Sequence, residues 1–276
     1  MKNYQEYYPK PLSLKSTKII YSQMIECVCK VYLPYGEFGT GFFVKIPCKN
    51  KMIPTLISSN YVLNKYNLHN GNEIHLSLEE DKKITLIKLN DKNIIYTNKE
   101  LDITIIEIIE KDYKKDISFL ELDDIVEKNN IPDEYYRTEN IYMIQYNEKE
   151  VGLSYGFIKK LDNKKIIHTC CFRRGSSGSP ILNSSTQKVI GIHTGSTQYD
   201  NFGFLIKYAI EDFIKFYLTN DINFKEYKES DFTNLKLLSE GSCGVVYSAY
   251  SEQDNNEICL KKINIEKMSS LYQKIT

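Results

Sequence analysis

The chain carries no surplus of either charge, with 36 Lys and Arg against 36 Asp and Glu in 276 residues. A nucleic-acid partner needs a net positive field or a clustered basic face, so none is expected. No apolar run approaches the roughly 18 residues that cross a bilayer, and no membrane association is expected. Residues 1–18 are polar and tyrosine-rich and lack the apolar stretch of a secretion signal, which predicts a cytoplasmic protein. The seven cysteines, Cys27, Cys29, Cys48, Cys170, Cys171, Cys243 and Cys259, are irregularly spaced and include no C-x-x-C pair. They read as reduced and mostly buried, which leaves no metal site and no disulfide framework to expect. Histidine is scarce: His69, His75, His168 and His193 are the whole supply of imidazole. There is no internal repeat and no low-complexity tract.

What is present is ordinary for a globular chain, with 42% hydrophobic and 26% charged residues, so wholesale disorder is not expected. The length fits roughly two domains. Short runs rich in Ile, Val, Phe and Tyr recur between Asn, Asp and Gly clusters: Gly41–Ile46, Thr55–Ser58, Ile103–Ile109, Ile141–Tyr146, Gly152–Ile158, Lys165–Thr169 and Lys188–His193. That spacing predicts an all-β sandwich or barrel. One segment has helical periodicity, Ile206–Leu218, with Ile206, Ile210, Phe213, Ile214 and Tyr217 on one face. The acidic stretch 120–129 reads as a short helix or a linker. Residues 219–231 are polar and charged and read as a second linker, after which a new strand-rich unit opens at Phe232.

The most specific segment is Gly175-Ser176-Ser177-Gly178-Ser179-Pro180. Glycines on both sides of a serine let the backbone turn tightly and aim its amides at a substrate. Ser177 is the candidate nucleophile, with the Gly175 and Ser177 amides as an oxyanion hole. A serine-rich hairpin is the bland alternative. Three further segments occur in order: Gly39-Thr40-Gly41-Phe42-Phe43-Val44, Leu101-Asp102-Ile103-Thr104-Ile105-Ile106 and Gly191-Ile192-His193-Thr194-Gly195. Together the set resembles the trypsin-like, chymotrypsin-fold serine peptidases. The resemblance covers roughly residues 22–218. It implies two six-stranded antiparallel barrels, over about 22–115 and 135–205, a closing C-terminal helix, a cleft site between the barrels, and Asp102 as the triad aspartate. Residues 1–21 are then an N-terminal extension.

The family's histidine belongs in a segment of the form L-[TS]-x-x-H-V-[LIV]. Here Leu56-Ile57-Ser58-Ser59-Asn60-Tyr61-Val62-Leu63 aligns without strain and places Tyr61 at the histidine position. A general base must accept the serine proton near neutral pH, which imidazole does. A phenol titrating near 10 is protonated at pH 7 and can only donate. Loss of the triad histidine costs about six orders of magnitude in turnover in the best-studied cases. With no imidazole to orient, Asp102 has two options: to accept from the Tyr61 hydroxyl or to face solvent.

The resemblance also assigns Phe172, His193 and Gly195 to the substrate pocket. In glutamyl endopeptidases the histidine matching His193 helps bind an acidic side chain, and a threonine stands where Phe172 is here. Phe172 fills space and offers no hydroxyl. Arg173 and Arg174 add charge at the rim that favours an acidic peptide, unless they are simply solvated.

A second resemblance lies near the end. Ser239-Glu240-Gly241-Ser242-Cys243-Gly244-Val245-Val246 is similar to the protein-kinase G-x-G-x-x-G-x-V loop, with Ser239 in place of the first glycine. Ile258-Cys259-Leu260-Lys261-Lys262 is similar to the third-strand V-A-I-K. The resemblance implies a truncated kinase N-lobe over 232–276, with Gly241, Gly244, Val246 and Lys261 as a vestigial ATP site. Neither a catalytic loop nor a metal-binding D-F-G is present, so ATP and Mg are expected only with a complete kinase domain. The peptidase-like region needs no cofactor.

Three functions follow as expectations. The first is an impaired peptidase-fold domain, a peptide-binding or regulatory module attached to a kinase. The second is an active serine endopeptidase with acidic preference. The third is a fragment of a serine/threonine protein kinase.

Overall fold

The computed structural model describes residues 11–64, 68, 73–89, 93–109, 117–124, 139–148, 150–198, 200–220, 232–241, 244–251 and 256–263. They divide into two units, Met1–Asp221 and Ile222–Thr276.

In the first unit, helix α1 (Leu14–Glu26) starts where the Ser13 hydroxyl accepts the Ser16 N–H at 3.1 Å, covering a donor the first turn cannot satisfy internally. Ile20, Gln23, Met24 and Cys27 recur on one face and turn it to the core. This helix spans residue 22, and its Ile20 packs with the β core.

Seven strands follow: β1 (Val28–Tyr32), β2 (Phe38–Cys48), β3 (Lys51–Ser58), β4 (Glu73–Leu78), β5 (Lys83–Lys88), β6 (Ile95–Asn98) and β7 (Ile103–Glu107). They form an antiparallel sheet in the order β5-β4-β1-β2-β3-β7-β6, a half-barrel rather than the closed six-stranded barrel expected. The next six do close: β8 (Asn140–Tyr146), β9 (Val151–Asp162), β10 (Lys165–His168), β11 (Pro180–Asn183), β12 (Val189–Ser196) and β13 (Asn201–Leu205) form a barrel in the order β10-β13-β12-β11-β8-β9. Closure removes the unpaired edges that so many short strands would otherwise expose. The mostly β class expected from the strand pattern, and the double-barrel arrangement that the family resemblance implied, are the ones observed.

One hydrophobic core runs through both halves. Phe42, Val44 and Ile57 of the sheet pack in the same cluster as Tyr142, Ile144, Leu182 and Ile192 of the barrel. Helix α2 (Ile206–Asn220) follows the barrel and returns to the sheet. Its Phe213 ring meets Tyr96 of β6 edge-on at 6.2 Å, and its Tyr217 hydroxyl donates to Glu107 of β7 at 2.8 Å. The expected stripe is observed, with Ile206, Ile210, Phe213 and Tyr217 buried and Ala209 added to it. Residues 120–122 are extended rather than helical. Leu120 bridges Val44 and Leu122 bridges Val189, one in each half. The rest of 120–129 lies outside the described residues beyond 124.

The second unit is a three-stranded antiparallel sheet, β14 (Phe232–Gly241), β15 (Gly244–Ser251) and β16 (Asn256–Ile263). Gly241 pairs with Gly244, and Val246 lies opposite Lys261 in the strand register. Ser242, Cys243 and the Lys261 side chain lie outside what is described, as does residue 69 and most of the expected linker. Leu235, Leu237 and Leu238 are exposed. Among the described residues no helix is long and apolar enough to cross a membrane. No metal-binding cluster occurs among them, and four of the six described cysteines are buried thiols.

Gln23 carries a buried polar bridge from α1 to the barrel. Its amide N–H donates to the Gln187 carbonyl at 2.8 Å and its carbonyl accepts from the Tyr142 hydroxyl at 2.7 Å. Gln23→Leu leaves that hydroxyl buried and unpaired, which is expected to lower stability by about 1–3 kcal/mol in urea unfolding. Adding Tyr142→Phe should recover part of the loss, and two additive losses would contradict the bridge.

Candidate active site

The Gly-Ser loop connects β10 to β11 across the joint between the two halves. Gly175 and Gly178 hold it in left-handed conformations, φ +95° and +90°. A Cβ at Gly175 would stand 2.1 Å from the Phe38 ring and one at Gly178 would stand 2.1 Å from the Thr40 carbonyl oxygen. Only glycine fits either place. The loop's hydrogen bonds point back into the protein. Thr40 N–H donates to the Ser177 carbonyl at 3.0 Å, and Thr40 Oγ1 donates to the Gly175 carbonyl at 2.7 Å. The same hydroxyl accepts Tyr146 N–H at 3.0 Å. Ser176 N–H is taken by the Arg173 carbonyl and Gly178 N–H by the His193 carbonyl. The Gly175 and Ser177 amides, and the Ser177 hydroxyl, have no acceptor or donor among the described residues.

On the sheet side, β3 ends at Ser58, whose hydroxyl donates to the Thr40 carbonyl at 2.7 Å. The chain then turns tightly. Val62 and Leu63 both return N–H groups to the Ser59 carbonyl and drop into the core, which leaves Tyr61 at the apex, 70% exposed. Asp102 precedes β7 with φ 44°, a left-handed value that aspartate tolerates better than most residues. Its Oδ1 accepts the backbone N–H of Tyr61 at 2.8 Å, and its own carbonyl accepts Asn60 N–H at 3.0 Å. Asp102 thus takes neither expected option: it grips the Tyr61 backbone, not the phenol, and it is partly withdrawn from water. Burial pushes its carboxyl up from 3.8 to about 6, against the pull of the Tyr61 and Asn60 amides.

Behind the loop, the expected pocket residue His193 is fully enclosed. Its Nδ1 lies 3.2 Å from Nε2 of His168, also buried. Desolvation drives His193 down to about 3 and His168 down to about 4, so both are neutral. The two rings share that hydrogen bond, and His168 Nδ1 has no partner among the described residues. Phe172 is exposed and its ring centre stands 6.1 Å from that of His193. Gly195 follows two residues on in β12, with the Phe202 ring against it. Arg174 is not a free rim cation. It bridges Glu37 of the sheet half at 2.8 Å and Glu148 of the barrel half at 3.4 Å. Arg173 is exposed. His75 is also exposed, on β4. No imidazole is hydrogen-bonded to Ser177 among the described residues.

A half-barrel packed on a closed antiparallel barrel, with a glycine-held serine loop at their joint, defines the class of chymotrypsin-fold peptidase-like domains. The trypsin-like peptidase domain family matches residues 39–192, more than half of the chain, and the chain belongs to that family. Among solved structures, the inactive form of a serine-to-alanine mutant of Rv3671c from M. tuberculosis H37Rv is similar at 12% identity and TM-score 0.51, over 77% of this chain and 96% of that one. A Glu endopeptidase gives 12% identity and TM-score 0.49 over 70% and 90% of the two chains, and tobacco etch virus protease gives 14% and 0.46 over 72% and 77%. Among curated proteins nothing matches.

Sequence reading missed Thr40 as the residue that ties the loop down. It stood inside the quoted Gly39–Val44 motif, but its partners Gly175, Ser177 and Tyr146 are more than 100 residues away.

The raised Asp102 carboxyl makes a pH prediction. The native state keeps a proton that the unfolded chain releases near 3.8, so the group favours folding below about pH 4 and that help is lost as pH rises through about 6. Asp102→Asn keeps an acceptor for Tyr61 N–H and suits a left-handed φ. It is expected to gain about 1 kcal/mol more stability at about pH 7.5 than at about pH 4, after allowing for solvent screening. Equal effects at the two pH values in denaturant unfolding would contradict it.

Proposed function

We propose that the peptidase-like domain binds a peptide or protein segment in its inter-barrel cleft without hydrolysing it, and that it serves as a regulatory module. The observation that carries this reading is Tyr61 at the apex of the turn anchored by Asp102, where the family's motif has histidine. Asp102 still grips the turn, so the apex is held in place while the group displayed there is a phenol. Among the described residues no other imidazole offers a substitute: His168 and His193 are buried, neutral and bonded to each other, and His75 is out on β4. Without a base, Ser177 is an ordinary alcohol.

A second reading, an active endopeptidase with acidic preference, draws on His193 beside Phe172. The neutral, hydrogen-bonded state of His193 and the ion pairs that occupy Arg174 weigh against it. For Ile222–Thr276, kinase N-lobe ancestry is favoured by the strand register. Val246 pairs with Lys261, as in the family's glycine-loop and third-strand elements. ATP and Mg belong to that reading only in the company of a complete kinase domain, and a cytoplasmic location is part of the same proposal.

The test is labelling of the intact chain with a fluorophosphonate probe. The expected result is no labelling and no peptide turnover above background, because removal of a triad histidine costs about six orders of magnitude. Tyr61→His should restore measurable labelling at Ser177. Robust labelling of the unaltered chain, abolished by Ser177→Ala, would replace this proposal with the active-peptidase reading.

A further inference from the structure

The loop that would carry catalysis is complete in one respect and empty in another. Three of the carbonyls around it are tied away. Thr40 holds the carbonyls of Gly175 and Ser177, and Ser176 N–H holds that of Arg173. The Gly175 and Ser177 amides, two residues apart, and the Ser177 hydroxyl between the halves have no partner among the described residues. In a working triad that hydroxyl gives its proton to imidazole. With a phenol at position 61 it is free to donate elsewhere. The set offers three donors.

Three such donors suit one kind of ground-state ligand. The neutral carbonyl of an internal peptide bond matches an oxyanion hole poorly, because the hole is complementary to negative oxygen. A carboxylate carries that charge permanently. One of its oxygens can take the two amides while the other accepts from the hydroxyl, in charge-assisted hydrogen bonds that are about twice as strong as neutral ones. No base is needed and no bond changes. Resting on the proposal that the domain binds without hydrolysing, we infer that its ligand is the free C-terminus of a protein or peptide. The terminal carboxylate is held by Gly175 N–H, Ser177 N–H and Ser177 Oγ–H, and the last side chain lies toward Phe172 and His193. Backbone amides capture C-termini in the same way in other recognition modules. The Thr40 tether keeps the loop open for this without a ligand, so no rearrangement cost is charged against affinity.

The experiment immobilises the full chain and offers two random octapeptide libraries, identical except that one ends in a free acid and the other in an amide. Retained peptides are identified by mass spectrometry, and matched acid and amide pairs are compared by fluorescence anisotropy. The acid form is expected to bind about tenfold to hundredfold more tightly. Ser177→Ala, which keeps both amides and should fold normally, is expected to cut that ratio several-fold. Equal retention of acid and amide forms overturns the inference and leaves the non-hydrolytic reading standing. Cleavage of either library overturns that reading as well. No retention of either form, from protein whose cooperative unfolding shows it intact, also overturns the inference.

Discussion

The fixed point of the first unit is one buried threonine. Thr40 uses its N–H, its carbonyl and both roles of its hydroxyl, reaching Ser177, Ser58, Gly175 and Tyr146. Those partners come from the sheet, the barrel and the loop between them. Each bond alone contributes about 1 kcal/mol. Their joint effect is geometric, because the loop's carbonyls cannot turn outward while Thr40 holds them. The two glycines with positive φ follow from the same constraint. The loop passes so close to Phe38 and Thr40 that a side chain on either glycine would collide with them.

Around this point the two halves are joined by devices that differ in kind. The shared apolar core supplies most of the driving force, at about 1.5–3 kcal/mol for each large side chain fully buried. The Gln23 bridge and the Tyr217–Glu107 bond add direction, since each fixes a helix at one rotation over its sheet. The Glu37–Arg174–Glu148 bridge is exposed and adds little energy, but it pairs one of the two neighbouring arginines with carboxylates from both halves.

Much of the architecture was legible in the sequence. Strands with dense Ile, Val and Phe announced themselves, as did α2, whose apolar stripe has a clean helical period. Helix α1 did not, because its buried face includes the polar Gln23 and only a few large apolar residues. Strands β4 and β5 were missed because exposed His75, Lys83 and Lys88 dilute their pattern. The loop was legible because its glycines are local requirements. The grip of Asp102 on the Tyr61 backbone and the His168–His193 pair were not, since each depends on a contact between distant strands that no local pattern encodes.

Position 61 contributes only its main chain to the fold: Asp102 holds its N–H, and the ring stands in solvent. Tyrosine and histidine codons differ by a single nucleotide. The exchange of tyrosine for histidine at this position is then a single step, and the Asp102 hydrogen bond to the N–H of residue 61 does not depend on which ring is carried there.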